Sequence, residues 1–275
     1  LQLFPEASQW ATPVVITLAV ISVLYGAILA IGQRDMMRLI AFTSISHFGF
    51  IVMGIFAFTS VSQAGSNLYM VNHGFATAAL FLIAGMLVAR RGSKRIDDYG
   101  GWQRTTPVLA GSFLVAGLAA LSLPGLSTFV SEFLVIAGTW SRYPVATALA
   151  VWGVVLAAIY VLLMYKRIFT GPPPVIGTAE AQDAASSDAD LPYIRNDIDE
   201  GRRPLRLAAA VPDLGLREKA VVAPIIAVLI VLGFFPGPVL ETLNPAVERT
   251  LQIVGISDTT PSVPADAGST SGSDH

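Results

Sequence analysis

The sequence predicts an all-α polytopic membrane protein of about six transmembrane helices, one of them discontinuous, on three observations. Of 275 residues, 53% are hydrophobic and only 13% are charged, against about a quarter charged in ordinary soluble domains. Apolar runs recur along the chain at the ~20-residue length that carries a helix across a hydrocarbon core of ~30 Å. One run, LSLPGLSTFVSEFLV at 121–135, is interrupted by the helix-breaking pair Pro124 and Gly125 and then carries a carboxylate, Glu132. Recurrence excludes a single secretory signal. The absence of cysteine excludes disulfides, thiolate metal sites and cysteine-held iron–sulfur clusters on this chain.

Each segment has its own signal. The first, 10–31, places Pro13 in a first helical turn, where a missing N–H costs nothing; Pro107 and Pro144 open the fourth and fifth segments in the same way. The second and third cover 37–58 and 66–89. The fourth, 107–140, would run to about 50 Å as one straight helix and overshoot the bilayer. A break near 124–125 resolves the excess by making two half-helices, and such backbone survives at membrane depth only beside protein or a water-filled cavity. The stretch 121–135 is therefore expected to be the core of a polar site. The fifth segment covers 144–165. A cytoplasmic loop follows at 171–219, polar from GPPP onwards; its second half, RRPLRLAAAVPDLGLREK, reads either as a surface-lying amphipathic piece or as a solvated linker. The last span is 220–243, and 244–275 is expected to be an external, mostly disordered tail, Ser/Gly/Asp-rich from Ser257.

Lys and Arg set the orientation. Fifteen of the seventeen fall in three connections: Arg34 and Arg38; Arg90, Arg91, Lys94, Arg95 and Arg104; and Lys166 through Lys219. Arg142 and Arg249 lie on the other side. Six spans threaded through this division put the basic connections in the cytoplasm and both ends of the chain outside. Lys166-Arg167 and Arg90-Arg91 read as helix-end anchors.

Ionisable groups within the spans carry the chemistry, because a charge in lipid costs several kcal/mol unless it faces a partner or water. Three qualify: His47, His73 and Glu132. Thr43 and Ser44 lie three to four residues before His47, on its helical face, and offer hydroxyls to the imidazole. A core histidine satisfied by a serine is the plain alternative. His73 has Asn72 beside it and Thr77 one turn on; Gly74, Ala76 and Ala78 permit close helix packing, which explains the small residues but not the imidazole. Glu132 follows the break by about two turns, with Thr128 and Ser131 nearby, and a half-helix starting near Ser127 aims its positive end at the break. A protonated carboxyl acting only as an interhelical hydrogen bond remains open. So does Na⁺ ligation in place of proton transfer. No phosphate loop, nucleophile elbow or zinc-ligand spacing appears.

QRDMMRLIAFTSISHFGF, MVNHGFATAALFLIAGML and LSLPGLSTFVSEFL together resemble the antiporter-like membrane subunits of respiratory complex I, the proton-translocating NADH:quinone oxidoreductase. The forms SxSHxG and NHGxxTAALF, with LGFFPGP at 232–238, are similar to the M branch of that family. The resemblance implies a fold of two inverted repeats, each with a broken helix, of which this chain matches the second repeat plus the last helix. It implies proton transfer by His47 and His73 as internal relays and Glu132 as terminal group, under conformational or electrostatic switching, with Arg38 supplying a positive end. Met37 stands where relatives usually carry Lys. Partners implied are other membrane-arm subunits of complex I, especially neighbouring antiporter-like subunits, and lipids, with no nucleic acid. No cofactor is expected on this chain; flavin, iron–sulfur clusters and quinone belong to partner subunits. The implied location is the bacterial inner membrane. A cation/proton antiporter subunit and a purely structural membrane subunit are the rivals.

Overall fold

A computed structural model describes residues 1–171 and 211–257. Most of the loop expected at 171–219, with the start of its RRPLRL stretch, and the Ser/Gly/Asp-rich tail lie outside the described residues. Eight α-helices appear among the described residues: α1 (Pro5–Ile31), α2 (Met36–Phe56), α3 (Ser60–Arg91), α4 (Pro107–Ala120), α5 (Ser127–Trp140), α6 (Pro144–Phe169), α7 (Leu216–Phe234) and α8 (Gly237–Val254). α1, α2, α3 and α6 are each long and apolar enough to cross a membrane; α7 and α8 meet that test together but bend by 71° between them. The chain is thus a multi-pass membrane protein. Its exposed surface is apolar where lipid is the solvent, as at Val14, Leu18, Ile21 and Trp152.

Three boundaries differ from the sequence reading. α1 starts at Pro5, so Pro13 sits inside the helix and Pro5 holds the first turn. α3 starts at Ser60, capped by the Thr59 side chain on Ser62 N–H; its first turns read SVSQAGSN, too polar for a lipid-facing run, because Ser62, Gln63 and Ser66 are buried against protein. The last span does not run straight through 220–243. Phe235-Pro236 ends α7, and Gly237–Val254, expected as the end of the last span followed from 244 by the tail, forms an amphipathic helix burying Val247, Leu251 and Val254. Spacing of three and four residues puts those three side chains on one face.

Close approaches through small residues hold α1 to α2 and α3 to α5. Ser22 Oγ donates to Ile45 O and Ser46 Oγ to Val23 O, each at 2.8 Å, crossing between α1 and α2 in both directions. A Cβ on Gly49 would lie 2.6 Å from Ala19 O, and one on Gly65 2.7 Å from Leu134 Cβ. Gly138 of α5 abuts the backbone of Ser62 in the same way. Without a hydrophobic force between helices in lipid, such contacts and interhelical hydrogen bonds supply the cohesion. Gly74 and Ala78, read as packing residues, are instead exposed, and nothing lies within 4 Å of a Cβ on Gly74. Gly138→Ala is expected to force α3 and α5 apart at a cost of about 1–3 kcal/mol, read as a lowered unfolding temperature of the purified protein.

The two ends of the bundle are closed differently. At one end the connections interlock: Met36 N donates to Lys94 O, Ile96 N to Arg34 O and Gly101 N to Thr170 O. There Asp213 accepts from the N–H groups of Val108 and Leu109, capping α4, while Arg90 pairs with Glu218 at the start of α7. Burial pushes the Asp213 carboxyl up, but the N–H donors of Val108, Leu214 and Leu109, together with Lys219, outweigh it and hold its pKa below the ordinary value. The stabilisation this gives is present above the ordinary carboxylate pKa and is lost as pH falls through the lowered one. At the other end Gln9 donates to Val254 O and Arg142 to Ser257 O, so residues 1–9, the α5–α6 turn and α8 share one face of the molecule.

Candidate functional site

The break after α4 is built from two turns. Leu121 ends the helix, Ser122 takes the left-handed conformation at φ 60, Ser122 N donates to Ala119 O and Leu123 N to Leu118 O. That pair of bonds is the Schellman helix end, which usually places Gly at the left-handed position. A tight turn follows, closed by Leu126 N–H donating to Leu123 O, with Gly125 at φ 93; a second central residue with positive φ makes it a type II turn, for which Pro-Gly is suited. Pro124 is exposed, and Gly125 packs under Gly233 and Phe234 of α7. Within the stretch 121–135 the polar groups and the break do different jobs. Pro124 and Gly125 shape the chain, and the polar contact comes from Ser122, buried and donating its hydroxyl to Glu132 Oε2.

Glu132, His47 and His73 are all buried, and two tyrosines join them into a cluster. Tyr69 of α3 donates to Glu132 Oε2 at 3.3 Å and lies 2.7 Å from His47 Nδ1. Tyr160 of α6 lies 3.3 Å from His47 Nε2. The His73 ring stands 5.0 Å from that of His47, centroid to centroid, and 6.4 Å from that of Tyr69. Thr77 shares a hydrogen bond with the His73 imidazole at 3.3 Å. Because Tyr69 gives its one proton to Glu132, His47 Nδ1 must be the donor towards Tyr69 in this arrangement, and Nε2 accepts from Tyr160. Four helices, α2, α3, α5 and α6, thus contribute to one hydrogen-bonded string, Glu132–Tyr69–His47–Tyr160, with His73 beside it.

The supporting residues are used differently from the sequence reading. Thr43 and Ser44 do not serve the His47 ring: both hydroxyls donate to Ile40 O in the preceding turn, at 2.8 and 3.4 Å. Thr128 donates to Ala119 O, so its hydroxyl stitches the two half-helices by adding a second donor to a carbonyl that Ser122 N–H already meets at the end of α4. Ser131 donates to Thr128 O and, with Ser127 O, receives Asn72 Nδ2. Arg38 is exposed in the first turn of α2, its backbone N–H capped by Asp35, nine residues from His47 and so roughly 13 Å along the axis. Met37 packs against the core between α2, α3 and α6.

Tyr69, Tyr160 and Ser122 were missed from the sequence. Tyr69 had a readable signal, since it stands four residues before His73 on the same helical face. The row Thr59, Ser62, Ser66, Tyr69, His73 and Thr77 follows the three-and-four spacing of a polar stripe. Tyr160 had none, because a tyrosine in an apolar run is ordinarily packing. Along the stripe, Ser66 Oγ, Asn72 Oδ1 and Ser127 Oγ are buried without a hydrogen-bond partner among the described residues. Ser122→Gly is expected to leave the fold intact, relieving about 1 kcal/mol of left-handed strain, while removing a donor from Glu132. Infrared absorption of the carboxyl, followed through a pH titration, should shift in that variant.

Residues 1–159 match the family described as NADH:quinone oxidoreductase/Mrp antiporter, TM. NADH-quinone oxidoreductase subunit M of Mycobacterium tuberculosis is 52% identical over 263 residues, covering 96% of this chain and 42% of that protein. The subunit M of Rickettsia bellii is 35% identical over 251 residues, covering 91% and 45%. The chain therefore spans less than half the length of these relatives. Among solved structures, respiratory complex I from Thermus thermophilus with bound NADH contains a chain that superposes with a TM-score of 0.76 at 29% identity, covering 91% of this chain and 46% of that one. An archaeal membrane-bound sulfane sulfur reductase shares the fold, with a TM-score of 0.69 at 22% identity.

Proposed function

This chain belongs to the NADH:quinone oxidoreductase/Mrp antiporter transmembrane family, and from that premise we propose that it is part of a membrane-arm subunit carrying protons through its buried His, Tyr and Glu side chains. The observation that carries this reading is the string Glu132–Tyr69–His47–Tyr160, in which successive heavy atoms are at most 3.3 Å apart. Proton transfer needs donor and acceptor within hydrogen-bond reach, directly or through one water.

The string can be run as chemistry. A proton reaching His47 makes both ring nitrogens donors. Nδ1–H then passes its proton to the Tyr69 oxygen as Tyr69 hands its own to Glu132 Oε2, leaving a neutral imidazole, an unchanged phenol and a neutral carboxyl. Resetting the pair takes two movements, rotation of the Tyr69 hydroxyl back towards Glu132 and return of the remaining imidazole proton from Nε2 to Nδ1, by a ring flip or by release and re-uptake. On this reading His73, whose ring centroid lies 5.0 Å from that of His47, supplies His47 through a water bridging ring nitrogens of the two. Glu132 is the terminal titratable group of the string on this reading, facing release towards the end of the bundle bearing Arg142, which the distribution of Lys and Arg assigns to the outside. Control lies in making and breaking Glu132's contacts, since a permanently connected path would dissipate a gradient. Redox groups, on this reading, belong to neighbouring subunits.

Tyr69→Phe tests the string while keeping the ring's packing. In the full-length protein within its assembled complex, proton translocation by the subunit is expected to fall at least about tenfold, because one link in hydrogen-bond reach becomes a gap. Assembly should be unchanged. Full translocation in this variant would break the proposed order of groups. Transport that instead requires Na⁺ at fixed pH would move the chain to the cation/proton antiporter reading.

A further inference from the structure

Between α1 and the start of α6 lies a groove of about 650 Å³. Its walls are Ile16, Val20 and Leu24 from α1 and Ala146 and Leu149 from α6, and its rim carries Arg142 and Tyr143. Thr17, the one hydroxyl within it, is already donating to Pro13 O. Along α1 the groove runs from Pro13 to Leu24, roughly 16 Å at ~1.5 Å per residue, against ~15 Å for one leaflet's share of the hydrocarbon core. It is the length of a single leaflet.

The rim makes a second, different demand. Arg142 Nη2 donates to Ser257 O at 2.7 Å, but Nε–H is buried with no acceptor among the described residues. Trp10 and Trp140, both exposed, flank this level of the bundle, as aromatic residues do at a headgroup boundary. An occupant must therefore be apolar over one leaflet's depth and present an anionic acceptor at the surface. A purely apolar helix face would fill the walls but bring no anionic acceptor to Arg142. A free anion would leave the apolar walls unused. We propose that the groove is a binding site for one anionic phospholipid of the leaflet on the Arg142 side, its acyl chain along Ile16, Val20 and Leu24 and its phosphodiester accepting from Arg142. No residue of the proton string lines this groove, although α6 gives Tyr160 to the one and Ala146 and Leu149 to the other.

The test is photolabelling of the full-length protein in its assembled complex, in bilayers containing phosphatidylglycerol with a diazirine on the acyl chain. Labelling should concentrate on residues 13–24 and 145–149, and a phosphatidylcholine probe of the same chain should label them weakly. Arg142→Gln should lower groove labelling by about tenfold, the worth of one charge-assisted hydrogen bond, with Arg142→Lys restoring part of it. Val20→Trp, which fills the slot but keeps the cation, should lower it as well. Groove labelling no higher than that of the exposed α6 face at Trp152 and Val155, or labelling indifferent to Arg142→Gln, would overturn the proposal; coverage of the groove by the rest of the longer protein would appear as the first of these.

Discussion

Glu132→Gln in the full-length protein, within its assembled complex, is expected to lower proton translocation by at least about a hundredfold, the lower range for a positioned acid–base group, while assembly stays near wild type. The geometry explains why the two readouts separate. Glutamine has nearly the shape of glutamate, and its carbonyl oxygen can accept from both Ser122 and Tyr69 as Glu132 Oε2 does. What it cannot do is take up and release a proton. If Glu132 were only a pin between α5 and α3, the amide would serve as well, and translocation measured as acidification in proteoliposomes would persist. Glu132→Ala, by contrast, removes the acceptor and leaves two buried hydroxyls unpaired, so it confounds function with stability.

Arg90→Ala carries the largest expected structural cost. The Arg90 side chain is 5% exposed and Glu218 29% exposed, and the pair closes at 2.8 and 2.5 Å. Removing one member of a buried ion pair costs about 3–5 kcal/mol, chiefly because the other charge is left without compensation. Arg90 also donates to the carbonyls of Met86, Pro212 and Asp213. Loss of the arginine should therefore hurt more than loss of the carboxylate, since Glu218→Gln leaves those three carbonyls served. Thermal unfolding of the purified protein should rank wild type above Glu218→Gln above Arg90→Ala, and Arg90→Ala should also loosen α7 from α3, raising hydrogen exchange over 211–218. Equal loss from both variants would mean that the carbonyl contacts contribute nothing.

The helices were legible in the sequence wherever lipid-facing hydrophobicity dictated them, as in α2 and α6. Legibility failed where burial is against protein. The start of α3 reads as polar because Ser62, Gln63 and Ser66 face neighbouring helices instead of lipid, and α8 is hidden because an amphipathic helix ending in Gly255 looks like a solvated tail to a search for apolar runs. The site shows the same division. Titratable residues in apolar runs point to themselves, so His47, His73 and Glu132 could be named. Their partners divide: Tyr69 shares a helical face with His73 four residues on and could have been read from that spacing, whereas Ser122 reaches Glu132 from a left-handed turn, which no spacing along one element gives. Thr43, Ser44 and Thr128 mislead for the complementary reason, since a hydroxyl within a helix can satisfy itself on the carbonyl a turn back.

The stub α5 has a mechanical consequence. Its near end joins α4 through a short non-helical link, which the side-chain bonds from Thr128 to Ala119 O and from Ser122 to Glu132 Oε2 brace. Glu132 stands five residues along this rod, about 8 Å from its pivot at ~1.5 Å per residue. Tipping the rod by ~10° swings the carboxylate through a little over 1 Å, enough to stretch the Tyr69 contact from 3.3 Å beyond ~4 Å, where no hydrogen bond survives. A continuous helix would have to bend along its whole length to move the same group as far. Interrupting it turns Glu132 into the tip of a short lever.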